Sequence, residues 1–187
     1  MSIEQEIKQS LYQLKNEGII LYPTDTVWGL GCDATHSEAV RKLYALKKRN
    51  ESKSLVVLVD SLEMLQEYVA TIPETALTII NVNEKPTTII YNNPIGFPKN
   101  VVNSGHTVAI RIPDHLFCKK LIRTFGKPIV STSANISGFP TPKSFSEITA
   151  SVLEGVDYIV NLEREKIADK SSTIIKINGN VVEVIRI

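Results

Sequence analysis

The 187-residue chain has only two cysteines, Cys32 and Cys118, with neither CxxC spacing nor a histidine pair nearby. That excludes a disulfide framework and a zinc centre as organising elements; both thiols are expected reduced, in or near the core. No stretch approaches the roughly 18 apolar residues of a membrane span. The first residues, Met1-Ser-Ile-Glu-Gln-Glu-Ile7, are polar and acidic, unlike a basic segment ahead of an apolar run. A cytoplasmic location without membrane attachment is therefore expected. Charge of one sign is missing too: 21 Lys and Arg face 20 Asp and Glu, a net charge of +1. A nonspecific nucleic-acid coat would be more basic, so any anion must bind at a local patch. The chain has no GxxxxGK[ST] loop, GxGxxG fingerprint, HExxH or GxSxG. Its three histidines, His36, His106 and His115, fall in no metal-ligand spacing and are expected at the surface or as caps, so no metal site is expected.

What remains is ordinary globular material, 43% apolar and 22% charged. At about 150 residues per domain, residues 1–187 are expected to form a single domain. Ser2 and Gln5 have capping-box spacing, Ile3, Ile7, Leu11 and Leu14 repeat helically, and Gly18 is expected to stop that helix. A buried strand is predicted over 18–22, followed by an irregular loop over 23–33. A helix is predicted from Ser37 to the basic run Lys47-Lys-Arg49. Further strands are predicted over 54–59, 87–91, 107–112 and 128–132, with helices over 61–69, 73–80 and 115–125. Residues 92–104 are predicted as loop, and Ser144 with Glu147 as a second capping box ahead of a helix over 148–153. Strands over 157–161, 172–177 and 181–187 close the chain, the last two joined at Asn178-Gly-Asn180 as a hairpin. Interleaved helices and strands ending in three strands predict an α/β fold: a twisted, mixed β-sheet with helices packed on it.

Four constellations stand out. Thr24-Asp-Thr26 with Gly29 and Gly31 follows the first strand and suits either a small polar ligand or a capped turn. Lys47-Lys-Arg-Asn-Glu-Ser-Lys53 suits a phosphate clamp, or merely a solvated helix end complementing the dipole. Ser131-Thr-Ser-Ala-Asn-Ile-Ser137 offers five hydroxyl or amide side chains in seven residues, more than a polar turn requires. Arg111 shares a strand face with Ala109 and Thr107 in an otherwise apolar strand. Once buried it needs an anionic partner, either a protein carboxylate or a ligand's.

Taken in order, Pro23–Gly31, Lys47-Lys-Arg49, Lys53-Ser-Leu55, Thr107–Pro113, Ser131–Gly138 and Ser172-Thr173 resemble the YrdC/TsaC family of threonylcarbamoyl-AMP synthases, short single-domain type. The resemblance covers essentially the whole chain. It implies the YrdC-like fold, a sheet around a large concave positive cavity. It also implies synthesis of threonylcarbamoyl-AMP and pyrophosphate from L-threonine, bicarbonate and ATP with Mg2+, for the N6-threonylcarbamoyladenosine modification of tRNA at position 37. By the same matching, Lys47, Arg49, Ser133 and Asn135 form a catalytic, ATP-binding quartet, with Thr107, Thr141 and Arg186 as further nucleotide contacts. Thr24, Arg111 and Ser131 line a threonine pocket with Lys53 at its edge, and Arg111 holds the amino-acid carboxylate. The partner implied is the tRNA-modifying threonylcarbamoyl-transferase complex that receives the product.

The chain departs from the family at Asp25 (usually Glu), Trp28 (commonly Tyr), Asn83-Glu-Lys-Pro86 (usually Trp-Pro-Gly-Pro) and 162–170, which lacks the glycines common before the Ser-Thr pair. Ending at Ile187, it is expected to lack the second domain of longer members. The alternatives are a nonenzymatic RNA-binding or ribosome-associated module, and a diverged paralogue with another acceptor.

Overall fold

Ser2 opens the first helix as its spacing predicts: its hydroxyl accepts from Gln5 N and the Gln5 side chain accepts from Ser2 N. The computed structural model describes residues 2–82, 85–168, 171–178 and 181–187. In chain order the elements are α1 (Ile3–Lys15), β1 (Ile20–Tyr22), β2 (Gly29–Gly31), α2 (Ser37–Leu46), β3 (Val56–Leu58), α3 (Leu62–Tyr68) and α4 (Glu74–Val82). There follow β4 (Thr87–Asn92), β5 (Thr107–Arg111), α5 (Leu116–Phe125), β6 (Ile129–Ser133), α6 (Ala150–Leu153), β7 (Tyr158–Ile159), β8 (Thr173–Asn178) and β9 (Val181–Arg186). Among the described residues these strands form one mixed sheet in the order β7-β1-β2-β6-β3-β5-β4-β8-β9. Three neighbouring pairs, β1–β7, β3–β5 and β4–β8, are parallel and the rest antiparallel. The hairpin expected between the last two strands is present as an antiparallel pair; Gly179 and Asn180 of its turn lie outside the described residues, as do Asn83, Glu84, Asp169 and Lys170.

The first helix ends before Gly18 as expected, with Glu17 left-handed (φ 59°) and the Gly18 amide closing the turn on Gln13 O at 2.8 Å. Two local expectations are corrected. The Ser144–Glu147 capping box does not form. A 3-10 turn occupies Phe145–Glu147, Ser144 bonds Ser146, and Glu147 accepts from Lys143 N, leaving α6 to begin after Thr149. The loop predicted over 23–33 contains β2, whose Gly-Leu-Gly sequence has almost no strand propensity of its own.

Tertiary pairing explains β2. Strand β6 pairs with β2 on one side (Ser133 opposite Gly29) and β3 on the other (Ser131 opposite Val56), so it joins the two halves of the sheet. A Cβ at Gly31 would sit 2.5 Å from Val130 O and 2.7 Å from the Tyr22 ring, both rigidly placed. Gly31→Ala is therefore expected to cost about 1–3 kcal/mol by overpacking. A denaturation midpoint equal to wild type would show that β2 does not seat there.

The core is one continuous cluster. It runs from Leu14 and Tyr22 through Leu30, Leu43 and Val57 to Phe117, Leu121 and Val130, all at most 2% exposed. Cys32 and Cys118 are free and buried in it, and Trp28 is buried beside Phe145, ring centroids 5.0 Å apart. His115 caps α5, its Nδ1 accepting from Cys118 N. Among the described residues no helix is long and apolar enough to cross a membrane.

Candidate active site

Residues opposite one another on neighbouring strands share a sheet face. Ser131, Val56 and Ala109 form such a row, and Arg111 lies two residues beyond Ala109 on the same face. There the structure opens a cavity of about 200 Å3 lined by Thr26, Gly29, Arg49, Ser54, Arg111, Ser131, Ser133, Thr141, Ser172 and Arg186, among others. Its described wall carries three guanidiniums and no carboxylate, the local positive patch that a chain of net charge +1 requires to bind an anion. Gly29 keeps the floor open, since a Cβ there would stand 3.2 Å from Ser131 Oγ.

Of the predicted quartet, Lys47, Ser133 and Asn135 interlock, while Arg49 stands apart from them; only Arg49 and Ser133 line the cavity. Lys47 is 1% exposed, and its Nζ donates to the carbonyls of Ser133 and Asn135, the latter at 2.7 Å. Ser133 Oγ donates to Asn135 Oδ1, and Asn135 Nδ2 donates to the carbonyls of Ile136 and Phe139. Ser137 N closes the loop back on Lys47 O at 2.8 Å. Lys47 thus sits behind the wall and staples the loop after β6 to the end of α2. Burial, with Arg49 adding to it, pulls the Lys47 ammonium down to about 7. Arg49 is on the wall itself, its Nη2 donating to Ser54 O at 2.8 Å.

Arg111 is buried at 4% exposure, as expected, but its anionic partner is internal. Nη1 pairs with Asp25 Oδ1, whose other oxygen accepts from Asp114 N at 3.1 Å. The expectation that the amino-acid carboxylate alone answers this arginine's charge is corrected: Asp25, on the loop after β1, already does. Nη2 lies 3.4 Å from Thr26 Oγ1, while Nε is buried with no partner among the described residues.

The other expected contacts divide. Ser131, Thr141 and Arg186 line the cavity, with Arg186 also donating to Ser172 O at 3.1 Å. Thr24 is occupied within its own turn: its hydroxyl accepts from Thr26 N, donates to Val27 O at 2.8 Å and contacts Thr26 Oγ1. Thr107 is buried beside the Asn103 turn, and Lys53 is exposed at the rim; neither belongs to the wall. Thr26, singled out in the Thr24-Asp-Thr26 constellation but given no role by the resemblance, lines the wall, as does Ser54, which sequence reasoning did not assign. The Ser172 hydroxyl, 2.8 Å from Thr88 Oγ1, turns one half of the Ser-Thr motif into a wall anchor.

Beyond β7, Glu163 bonds both His115 Nε2 and Lys166 Nζ at 3.0 Å. Lys166 reaches Thr24 O, Ala168 N bonds Lys143 O, and Arg164 stacks 4.5 Å over Phe145. Burial holds His115 below the usual histidine range, with Glu163 opposing. A larger cavity of about 500 Å3, lined by Ile79, Ile80, Ile112, Asp114 and Lys119, lies beyond Asp25 and mixes charges of both signs.

The Sua5/YciO/YrdC family, described as "Telomere recombination", matches residues 12–187. A threonylcarbamoyl-AMP synthase of Pseudoalteromonas translucida is 36% identical over 165 residues, 86% of this chain and 88% of its own length. One from an Enterobacter species is 34% identical over 157 residues, 82% of this chain and 83% of its own length. Among solved structures, P. abyssi Sua5 complexed with L-threonine superposes with a TM-score of 0.85 at 26% identity, covering 98% of this chain. The chain spans 54% of that longer protein. E. coli YciO, at 22% identity, shares the fold with a TM-score of 0.85 over 98% of this chain and 89% of its own. With the family pattern matched over 12–187 and the fold shared, the chain belongs to the Sua5/YciO/YrdC family.

Proposed function

We propose that this protein is a threonylcarbamoyl-AMP synthase. The observation that carries the reading is the cavity wall: Arg111, buried and paired with Asp25, stands there with Arg49, Arg186 and a row of hydroxyls, and no carboxylate occurs among the described wall residues. Such a wall favours an anionic ligand, since guanidinium-to-carboxylate hydrogen bonds are charge-assisted. A cavity near 200 Å3 fits a small amino acid better than a whole nucleotide, which would extend along the lip formed by Ser133, Thr141 and Arg186.

The threonine amine captures bicarbonate to give N-carboxy-threonine with loss of water. One carbamate oxygen then attacks the α-phosphorus of ATP, the bond to the β-phosphate oxygen breaks, and pyrophosphate leaves. No covalent enzyme intermediate is required; the protein aligns two anions and offsets their repulsion. Arg49 and Arg186 face the phosphates, the Ser133–Asn135 loop orients them, and Lys47 fixes that loop. Mg2+ would enter with ATP as the MgATP substrate, held by the phosphate oxygens beside the wall hydroxyls. The same reading has the product passed to a tRNA-modifying complex in the cytoplasm.

Incubation with L-threonine, bicarbonate and MgATP should release pyrophosphate and yield threonylcarbamoyl-AMP by mass spectrometry, with L-serine much less effective. Pyrophosphate release indifferent to threonine and bicarbonate would overturn the assignment.

A further inference from the structure

The last strand is dressed unlike a free edge. Strand β9 ends the sheet order and every residue of it is exposed; Val181 stands at 66%, Val184 at 55% and Ile185 at 50%. Among the described residues no strand pairs with its outer side, the kind of edge proteins blunt with lysine, proline or a covering element. Neither residue occurs in Val181–Arg186, whereas the opposite edge, β7, is two residues long and has α1 packed against it.

The pattern on β9 is self-complementary. Its only charges are Glu183 and Arg186, and Glu183 makes no ion pair among the described residues. Glu183 lies opposite Lys176, Arg186 opposite Ile174, and Ile174 and Lys176 share a face. The bulge beside Val184 thus turns both charges to one face although they are three residues apart. In an antiparallel pair of two β9 strands related by a two-fold axis, Glu183 of each copy can face Arg186 of the other. That register also sets Val184 against Ile185 and Val182 against Ile187, joining apolar partners twice over.

We propose that β9 is a homodimerisation edge, pairing with β9 of a second copy to continue the sheet across two molecules. Arg186 lines the cavity, so each copy's Glu183 then stands beside the arginine of the other's site. The inference rests on the strand alone and does not require the proposed activity.

Light scattering across a dilution series should give a dimer mass falling to a monomer mass on dilution. Glu183→Arg and Arg186→Glu, each placing like charges across the seam, should each weaken association by roughly tenfold or more. The double exchange E183R/R186E should restore it to within a few-fold of wild type, a recovery that misfolding does not produce. Far-UV circular dichroism of each variant confirms that the chain is folded. A wild-type monomer throughout the range, a Glu183→Arg dimer as tight as wild type, or a folded double variant without recovery would overturn the proposal.

Discussion

Replacing Arg111 by methionine is expected to lower stability by about 3–5 kcal/mol, the usual cost of orphaning one partner of a buried ion pair. The side chains of Arg111 and Asp25 are 3% and 11% exposed, so little solvent is available to compensate. Asp25 would keep its bond from Asp114 N but lose its counter-charge. The same variant should lose any thermal shift with L-threonine and the threonine-dependent release of pyrophosphate. Two further variants separate the roles. Asp25→Asn retains the guanidinium and should still respond to threonine, from a lower baseline. The double variant Asp25→Asn, Arg111→Met should regain part of the stability by removing the orphaned charge, without regaining the response. Denaturant midpoints and ligand-dependent melting decide both, and an Arg111→Met chain that still responds to threonine would sink the pocket assignment.

Lys47→Met should be nearly as damaging by a different route. Methionine fills similar volume but takes the shared donor from the carbonyls of Ser133 and Asn135; Ser133 O keeps its bond from Asn135 N, while Asn135 O is left unsatisfied at about 1–3 kcal/mol. Displacement of that loop by about 1 Å can cost on the order of a hundredfold in rate. Arg49→Ala, by contrast, removes a wall cation and should act mainly on the nucleotide KM. The Lys47 ammonium also gives a pH signature. Its pKa in the folded chain, about 7, lies below the ordinary 10.5 because of burial and then Arg49. Between those values the unfolded chain holds a proton that the folded one lacks, so stability rises with pH across the window and is flat below it. That slope should vanish in Lys47→Met. A polyphosphate in the adjacent cavity favours the charged amine, so nucleotide binding at about pH 8 should take up a proton. Calorimetry in buffers of different ionisation enthalpy measures this; equal uptake by the methionine variant would exclude Lys47 as the source.

Local chemistry made much of this legible. The α1 capping box, the apolar run at β3 and the Arg111 strand announce themselves within a few residues, and the structure keeps them. What stayed hidden depends on partners distant in sequence. Asp25 and Arg111 are 86 residues apart, and nothing in the Thr24-Asp-Thr26 tripeptide tells which hydroxyl closes the turn and which faces the cavity. A helix-end lysine ordinarily points to solvent, so its burial under a loop 86 residues later could not be read from charge pattern. Strand β2 is specified by the close approach of β6 and Tyr22, not by its own residues.

The order of the strands also governs how the cavity's rim can move. Strand β7 stands at one margin of the sheet and β8 second from the other, seven strand spacings away. At about 4.8 Å each, a flat sheet would put them roughly 34 Å apart. The described residues of the crossing, 160–168, are pinned partway: Glu163 meets His115 and Lys166, Lys166 reaches Thr24 O, and Arg164 lies over Phe145. A stretch fastened to three separate elements behaves as a sill and not as a swinging gate.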